Sequence, residues 1–382
     1  MKGTNIKMKR FLLLLLALCL MLSCFAGCKK DKTDAQIENS SSDTTEESSE
    51  NITEDKTEDT TEDTTEDIVE EVFPYQHPLT GEPLKEPWSG QIVAVMTNNI
   101  EKSMPQHGLS QADIVFEMEE EGSITRNMAL FSNISEVGAI GSIRSARTYF
   151  VSVAAAFDAY LVHCGTSKYA SGGKYDQAGH RVSNWKDLDQ FYNGKYFYRD
   201  QDRLNAGYGW EHTLFTSGEK LASALEGKAL SVPTDANNTG FGLQFAKDVV
   251  LNGEKAESIT ITFKGTRKTG FEYDAATKLY KRIQHGKDSI DGNTDSPVYF
   301  KNVIAIYTKQ WGVSGSTHQF YNTIGSGEGY AAINGEIVPI KWSRKDVNSP
   351  YIYTLEDGSP LILDVGTTYV AFAGAKYPII YK

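Results

Sequence analysis

Arg144 and Arg147, in the stretch Ile140-Gly141-Ser142-Ile143-Arg144-Ser145-Ala146-Arg147, put two guanidinium groups three positions apart. Directly after them runs Tyr149 to Phe157, an apolar segment of helix composition, so the spacing predicts both arginines in the first turn of a helix. The unpaired N–H groups and the dipole at that end already favour an anion, and cations normally avoid it. Two cations there call for either neighbouring carboxylates or an anionic ligand. The carboxylates at hand are Glu117, Glu119, Glu120 and Glu121, which end one apolar run (Ile114–Met118) and precede another (Ile124–Phe131) that carries Thr125 and Arg126. The short link predicts a hairpin, with Glu117, Glu119 and Glu121 on one face and Arg126 returning across from them. A closed charge network and an open anion site both fit this pattern.

Other polar residues stand where chain elements end. Asn98 and Asn99 follow the predicted strand Gln91–Met96, and Gln106 lies in the loop Met104–Leu109. Each either braces a loop or offers an amide to a ligand. His163 and Cys164 end the strand Tyr160–His163; neighbours on a strand point to opposite faces, which argues for a buried free thiol beside a hydrogen-bonded histidine over a catalytic pair. His212 closes a stretch from Tyr169 to Trp210 in which ten of 42 residues are aromatic, a composition suited to covering a core or to stacking on sugar rings. Together with Ser145, the candidate ligand-binding set is Asn98, Asn99, Gln106, Glu117, Thr125, Arg126, Arg144, Ser145, Arg147, His163 and His212. No catalytic residue is assigned. No His, Cys or carboxylate group has metal-ligand spacing, and Gly325–Gly329 lacks the helix and lysine of a nucleotide loop, so no metal and no cofactor are expected.

The elements that must position these residues occupy the back four-fifths of the chain. Residues 1–28 read as a lipoprotein signal: Lys2, Lys7, Lys9 and Arg10 form a basic n-region, Phe11–Leu22 is too short to span a bilayer comfortably, and Phe25-Ala26-Gly27-Cys28 resembles a lipobox that would leave Cys28 lipidated. Residues 29–71 hold 17 Asp and Glu against four Lys and no aromatic residue, with Thr-Glu-Asp repeating every four residues from Thr53 to Asp67. Such a segment buries too little apolar surface to order itself and reads as an acidic tether, spanning on the order of 100 Å at roughly 3 Å per residue. The tether carries −13 and the n-region +4 of the chain's −12, which leaves −3 for Val72–Lys382. A nucleic-acid surface needs a basic field, and none is present in that balance.

Two folded regions are expected. Residues 72–240 alternate strand-like and helix-like runs and read as a layered α+β domain of sheets and helices. Residues 241–382 read as a mostly antiparallel β domain, with short strands beginning near Ser258, Gly270, Lys278, Val303, Gly329, Ile337, Pro350 and Thr368. Asn334-Gly335 and Asp357-Gly358 are two-residue hairpin signals. Gly325–Gly329 reads as a connection between strands.

The segments Asn98-Asn99, Pro105–Leu109, Ala112–Glu117, Gly122–Arg126, Gly141–Arg147, His163–Gly165 and His212–Phe215, taken in order, resemble the YerB-like lipoproteins of Gram-positive bacteria. Gly327-Glu328-Gly329 and Trp342 extend the likeness into the second region. The resemblance implies a lipid-anchored envelope protein with an N-terminal α+β domain and a smaller C-terminal one, and it brings no settled activity. The expected role is an extracytoplasmic lipoprotein on the outer face of the cytoplasmic membrane of a Gram-positive bacterium, anchored through Cys28. It would bind an anionic peptidoglycan or wall-polymer fragment, or act as an envelope scaffold. Two other readings stay open: a module recruiting an envelope protein partner, and a wall-polymer hydrolase using Glu117 or Glu121 with His163 or His212.

Overall fold

Alternation along the strands decides where the core lies. In Ile114–Glu119, the side chains of Ile114, Phe116 and Met118 pack with Ala94, Met96, Met128, Leu130, Val370 and Phe372 on one face. Val115 joins Val93, Val95, Ala129, Tyr369 and Ala371 on the other. Both faces are therefore buried, and each large apolar side chain taken fully out of water contributes about 1.5–3 kcal/mol. The computed structural model describes residues 73–167, 186–233, 240–263, 267–374 and 376–382. The signal, the tether, Cys28 and the aromatic residues Tyr169, Tyr175 and Trp185 lie outside them.

The central sheet has 11 strands. From one edge it runs Glu254–Lys255, Glu336–Arg344, Gly325–Ile333, Asn302–Thr308, Thr368–Gly374, Ile114–Glu119, Thr125–Phe131, Val93–Asn98, Tyr160–His163 and Asp187–Asp189, with Ile352–Leu355 paired to Glu336–Arg344. The Thr368–Gly374 strand lies parallel to both Asn302–Thr308 and Ile114–Glu119, so residues from the two halves of the sequence share one hydrogen-bonded sheet. A second sheet of six strands, drawn from residues 258–300 and Ile380–Tyr381, covers one face through Ile259, Ile261, Phe271 and Tyr280. On the other face the helix Thr148–Ala155 and Tyr351 pack with Trp342 and Tyr353 of the sheet's own strands. Arg344 ties these covering pieces together: its guanidinium donates to the Ser152 carbonyl at 2.8 Å and lies over the Tyr351 ring at 4.9 Å.

Strands dominate both halves. Among the described residues the α-helices are Thr148–Ala155, Gln201–Asn205 and Gly218–Leu225, so the helical layers expected in residues 72–240 shrink to three short pieces. The all-buried Thr148–Ala155 helix needs no polar face, which is why its composition read clearly and the rest did not. Its start corrects the first expectation: Arg147 is the residue before the helix, in extended conformation, and Arg144 lies upstream of it, so neither guanidinium occupies a first turn.

In the second half every predicted strand is present with its bounds moved by a few residues. Asn334 and Gly335 have φ of 51° and 82° and join Gly325–Ile333 to Glu336–Arg344, as a two-residue hairpin turn requires. At Asp357-Gly358 only Gly358 has positive φ, and the loop is longer, closed by Leu355 N–H to the Ser359 carbonyl. Gly325–Gly329 is strand, not connection. A Cβ on Gly329 would stand 2.4 Å from the Ala305 carbonyl oxygen, so the glycine there permits close approach between strands.

Candidate functional site

Glu117 faces the second sheet. Asn127 stands directly opposite it across the hairpin and Met118 stands opposite Arg126, so alternation places Glu117 and Arg126 on opposite faces. The expected row of carboxylates across from Arg126 therefore does not form. Glu117 instead pairs at 2.9 Å with Arg282, both side chains fully buried. Its carboxylate also accepts hydrogen bonds from Asn99 Nδ2 at 2.9 Å and Tyr369 OH at 2.8 Å, with the Thr269 hydroxyl 2.9 Å from Oε1. Arg282 further donates to Gln106 Oε1 and Ser289 Oγ, and Thr125 Oγ1 accepts from Asn99. Asn99, Gln106, Glu117 and Thr125 are thus sealed inside the protein as the polar seam between the two sheets. They are corrected from ligand contacts to internal bonding partners, because no solvent reaches them and their groups bond to one another.

Beyond the strand end, Glu120 and Glu121 turn to the other face and meet two of the arginines. Arg126 lies 2.6 Å from Glu120 and donates to the Ser145 carbonyl. Arg147 grips Glu121 with a two-pronged contact, Nε to Oε1 at 2.9 Å and Nη2 to Oε2 at 2.8 Å. The two pairs differ electrostatically. Burial pushes the Glu120 carboxyl up against the pull of Arg126 and Arg147, and burial pushes Arg126 down to about 10. Burial also opposes charge on Glu121 and Arg147, but there attraction prevails: Arg147 holds Glu121 below its ordinary value, and Glu120 and Glu121 together hold Arg147 above. Arg126 and Arg147 are therefore committed to internal acids. Ser145 contributes its carbonyl to that network.

Arg144 is different. Its Nη1 rests 3.3 Å from the Glu211 carbonyl, its Nε is buried without a hydrogen-bond partner, and among the described residues no carboxylate pairs with it. Arg126 and Arg282 also leave an Nε unpaired, but each has its own carboxylate. Close to Arg144 lies His212, whose Nδ1 accepts from Asn98 Nδ2 at 3.0 Å. Burial, reinforced by Arg144, Arg203 and Lys102 against the opposing charge of Glu211, lowers the His212 pKa and favours the neutral ring. Arg199 stacks over the exposed Trp210 ring at 4.0 Å. Phe191, 71% exposed, packs on Gly165.

His163 is buried with both ring nitrogens occupied, Nδ1 by the Gly165 carbonyl at 2.9 Å and Nε2 by Asp187 at 2.7 Å. It cannot serve Cys164, whose Sγ lies 3.5 Å from Gln190 Oε1. Cys164 is half-buried, less sheltered than expected, because it sits past the end of its strand. Burial and Asp189 together push its thiol up, away from a nucleophilic thiolate. Glu117 sealed and Glu121 held by Arg147 leave the hydrolase reading without its carboxylates.

Residues 79–231 match a family model described as "Protein of unknown function (DUF3048) N-terminal domain", and residues 259–370 match its C-terminal domain. Over 307 residues, 77% of this chain and 87% of the relative, the sequence is 28% identical to "Putative lipoprotein YerB" of Bacillus subtilis (strain 168). The crystal structure of the YerB protein from Bacillus subtilis superposes with a TM-score of 0.65 at 27% identity, covering 80% of this chain and 99% of that one. The chain belongs to the YerB-like family. The two matched segments of this YerB-like chain fall on the two sequence halves that meet in the central sheet.

The residues that sequence reasoning missed are Arg282, Thr269 and Tyr369, which complete the Glu117 seam, and Asp291. The Asp291 carboxylate accepts from the Gly108 and Ser110 backbone N–H groups at 3.1 and 2.8 Å and so pins the loop that carries Gln106. A signal for Arg282 exists in the strand Leu279–Gln284, where Tyr280, Arg282 and Gln284 share the buried face and Leu279, Lys281 and Ile283 the outer one. Apolar residues on both faces of that strand hide it.

Proposed function

We propose that this YerB-like chain is a lipoprotein held at the outer face of a Gram-positive cytoplasmic membrane through Cys28, and that its folded part binds an anionic cell-envelope component at the Arg144 face. Support for the anchor is the basic n-region, apolar run and Cys28 motif in the sequence, together with similarity to a relative named as a lipoprotein. The binding reading rests on one observation: a partly exposed guanidinium with a buried, unpartnered Nε and no paired acid among the described residues. Lys102, Arg203 and the neutral His212 lie in the same neighbourhood, with the exposed Glu211 carboxylate as the facing acid. A planar guanidinium suits bidentate contact to carboxylate or phosphate, and the Arg199-backed Trp210 ring offers a face to an attached sugar.

The test is co-sedimentation of the full chain in detergent with purified sacculi, with and without wall teichoic acid. Arg144→Ala weakens binding roughly tenfold or more, the loss of one charge-assisted contact, and Arg144→Lys restores only part of it. Binding by the wild type also falls with added salt. Undiminished binding by Arg144→Ala refutes the reading. A protein partner is favoured by a separate observation, the exposed rings of Phe191, Tyr192 and Trp210. In that case crosslinking from membranes recovers one reproducible envelope protein, and the recovery is lost in Tyr192→Ala.

A further inference from the structure

The Gln310–Tyr321 hairpin is rooted in the main core by Tyr321, while its outer part carries a small cluster of its own. Among the described residues its strands Gln310–Gly312 and Gln319–Tyr321 pair only with each other, and Trp311, Val313 and Phe320 form a small apolar cluster separate from the two main ones. Beside it opens a cleft of about 910 Å³. That volume is at the upper end of what encloses a small-molecule ligand, and it suits a short chain of linked rings.

The lining points to one ligand chemistry. Among the described residues the cleft wall holds no Leu, Ile, Val, Met or Phe; its apolar surface comes from the aromatic rings of Trp311, Tyr307 and Tyr377 and from Pro378. Trp311 stacks on Phe320 with centroids 6.0 Å apart and planes at 21°, which fixes the ring without surrounding it. The same wall carries three side-chain amides, Gln310, Gln319 and Asn322. Among the described residues Gln310 Nε2, buried at the cleft wall, has no hydrogen-bond partner, an arrangement that costs free energy unless an acceptor arrives. An aliphatic ligand would leave these amides unpaired, and the charged groups on the wall, Lys309 and Lys376 against Glu328, are of both signs and so do not by themselves select an ionic ligand. A sugar presents C–H faces that stack on aromatic rings and hydroxyls that both donate and accept, as amides do.

We propose that this cleft is a saccharide-binding site, in which Trp311 and Tyr307 stack on pyranose rings and Gln310, Gln319 and Asn322 bond the hydroxyl groups. It shares no residue with the Arg144 face and does not depend on the function proposed there. The full chain is titrated with N-acetylchitotriose, cellotriose, maltotriose and xylotriose, by calorimetry and by tryptophan fluorescence. At least one trisaccharide binds saturably with Kd of about 1 mM or tighter. Trp311→Ala weakens that binding about tenfold or more, Trp311→Phe less, and Arg144→Ala leaves it unchanged. Gln310→Leu, which removes the unpaired donor at similar volume, weakens binding severalfold with no fall in thermal midpoint, so lost affinity is separated from lost folding. The proposal is overturned if none of the four binds at about 10 mM. It is overturned equally if Gln310→Leu and Trp311→Phe both bind as tightly as wild type.

Discussion

Removing the Arg282 guanidinium tests the seam between the two sequence halves. In Arg282→Met the Glu117 carboxylate stays fully buried and keeps Asn99, Thr269 and Tyr369 as neutral donors, but loses the cation 2.9 Å away. Glu117→Gln does the reverse, leaving Arg282 with Gln106, Ser289 and Asn99 as neutral acceptors. A single break of a fully buried pair costs about 3–5 kcal/mol, because the orphaned charge cannot be rehydrated. For a domain of this size that corresponds to a fall of roughly 6–10 °C in thermal midpoint, taking about 2 °C per kcal/mol. In Glu117→Gln/Arg282→Met no orphaned charge remains, so the double mutant is more stable than the sum of the singles implies, by at least about 2 kcal/mol. Urea unfolding of the four proteins, monitored by tryptophan fluorescence, supplies the cycle. If Arg282→Met costs less than about 1 kcal/mol, or the single effects simply add, the pair does not join the halves and the reasoning fails.

Two further outcomes follow from the same geometry. Glu121→Gln removes one side of the two-pronged contact to Arg147 and lowers stability by about 1–2 kcal/mol at pH 7. Because the folded Glu121 carboxyl lies below its ordinary 4.5, its contribution is complete above that pH and disappears as pH falls through the depressed value. The gap between wild type and Glu121→Gln in chemical denaturation therefore closes on acidification below about pH 4.5, and a constant gap would contradict the assignment. Gly329→Ala places a methyl 2.4 Å from the Ala305 carbonyl oxygen inside the central sheet and destabilises by about 2–3 kcal/mol in thermal unfolding, whereas Gly358→Ala, with open space around its Cβ, meets only backbone strain and costs less.

Much of the fold was legible because local rules governed it. The strands from Ser258 to Phe372 carry their own length, alternation and turn chemistry, and Asn334-Gly335 makes the left-handed pair its hairpin needs. The hairpin of Ile114–Glu119 with Thr125–Phe131 was readable for the same reason. The register within that hairpin was not. A one-residue difference decides whether Glu117 meets Arg126 or turns away from it, and nothing local distinguishes Asn127 from Arg126 as the opposing residue.

The sequence by itself determined the basic and apolar runs ahead of Cys28, the acidic composition of residues 29–71, the strand-rich second half and the concentration of charge at Glu117–Glu121, Arg126, Arg144 and Arg147. Tertiary structure alone decided which of those charges are internal. Arg282 reaches Glu117 across 165 residues, and Arg126 and Arg147 find Glu120 and Glu121 only when the strand ends and the chain turns to the opposite face. Charge type is a property of a residue, but compensation is a property of distance. Distances of that kind are set by sheet register and by the packing of one sheet on another, to which each residue's sequence neighbours contribute little.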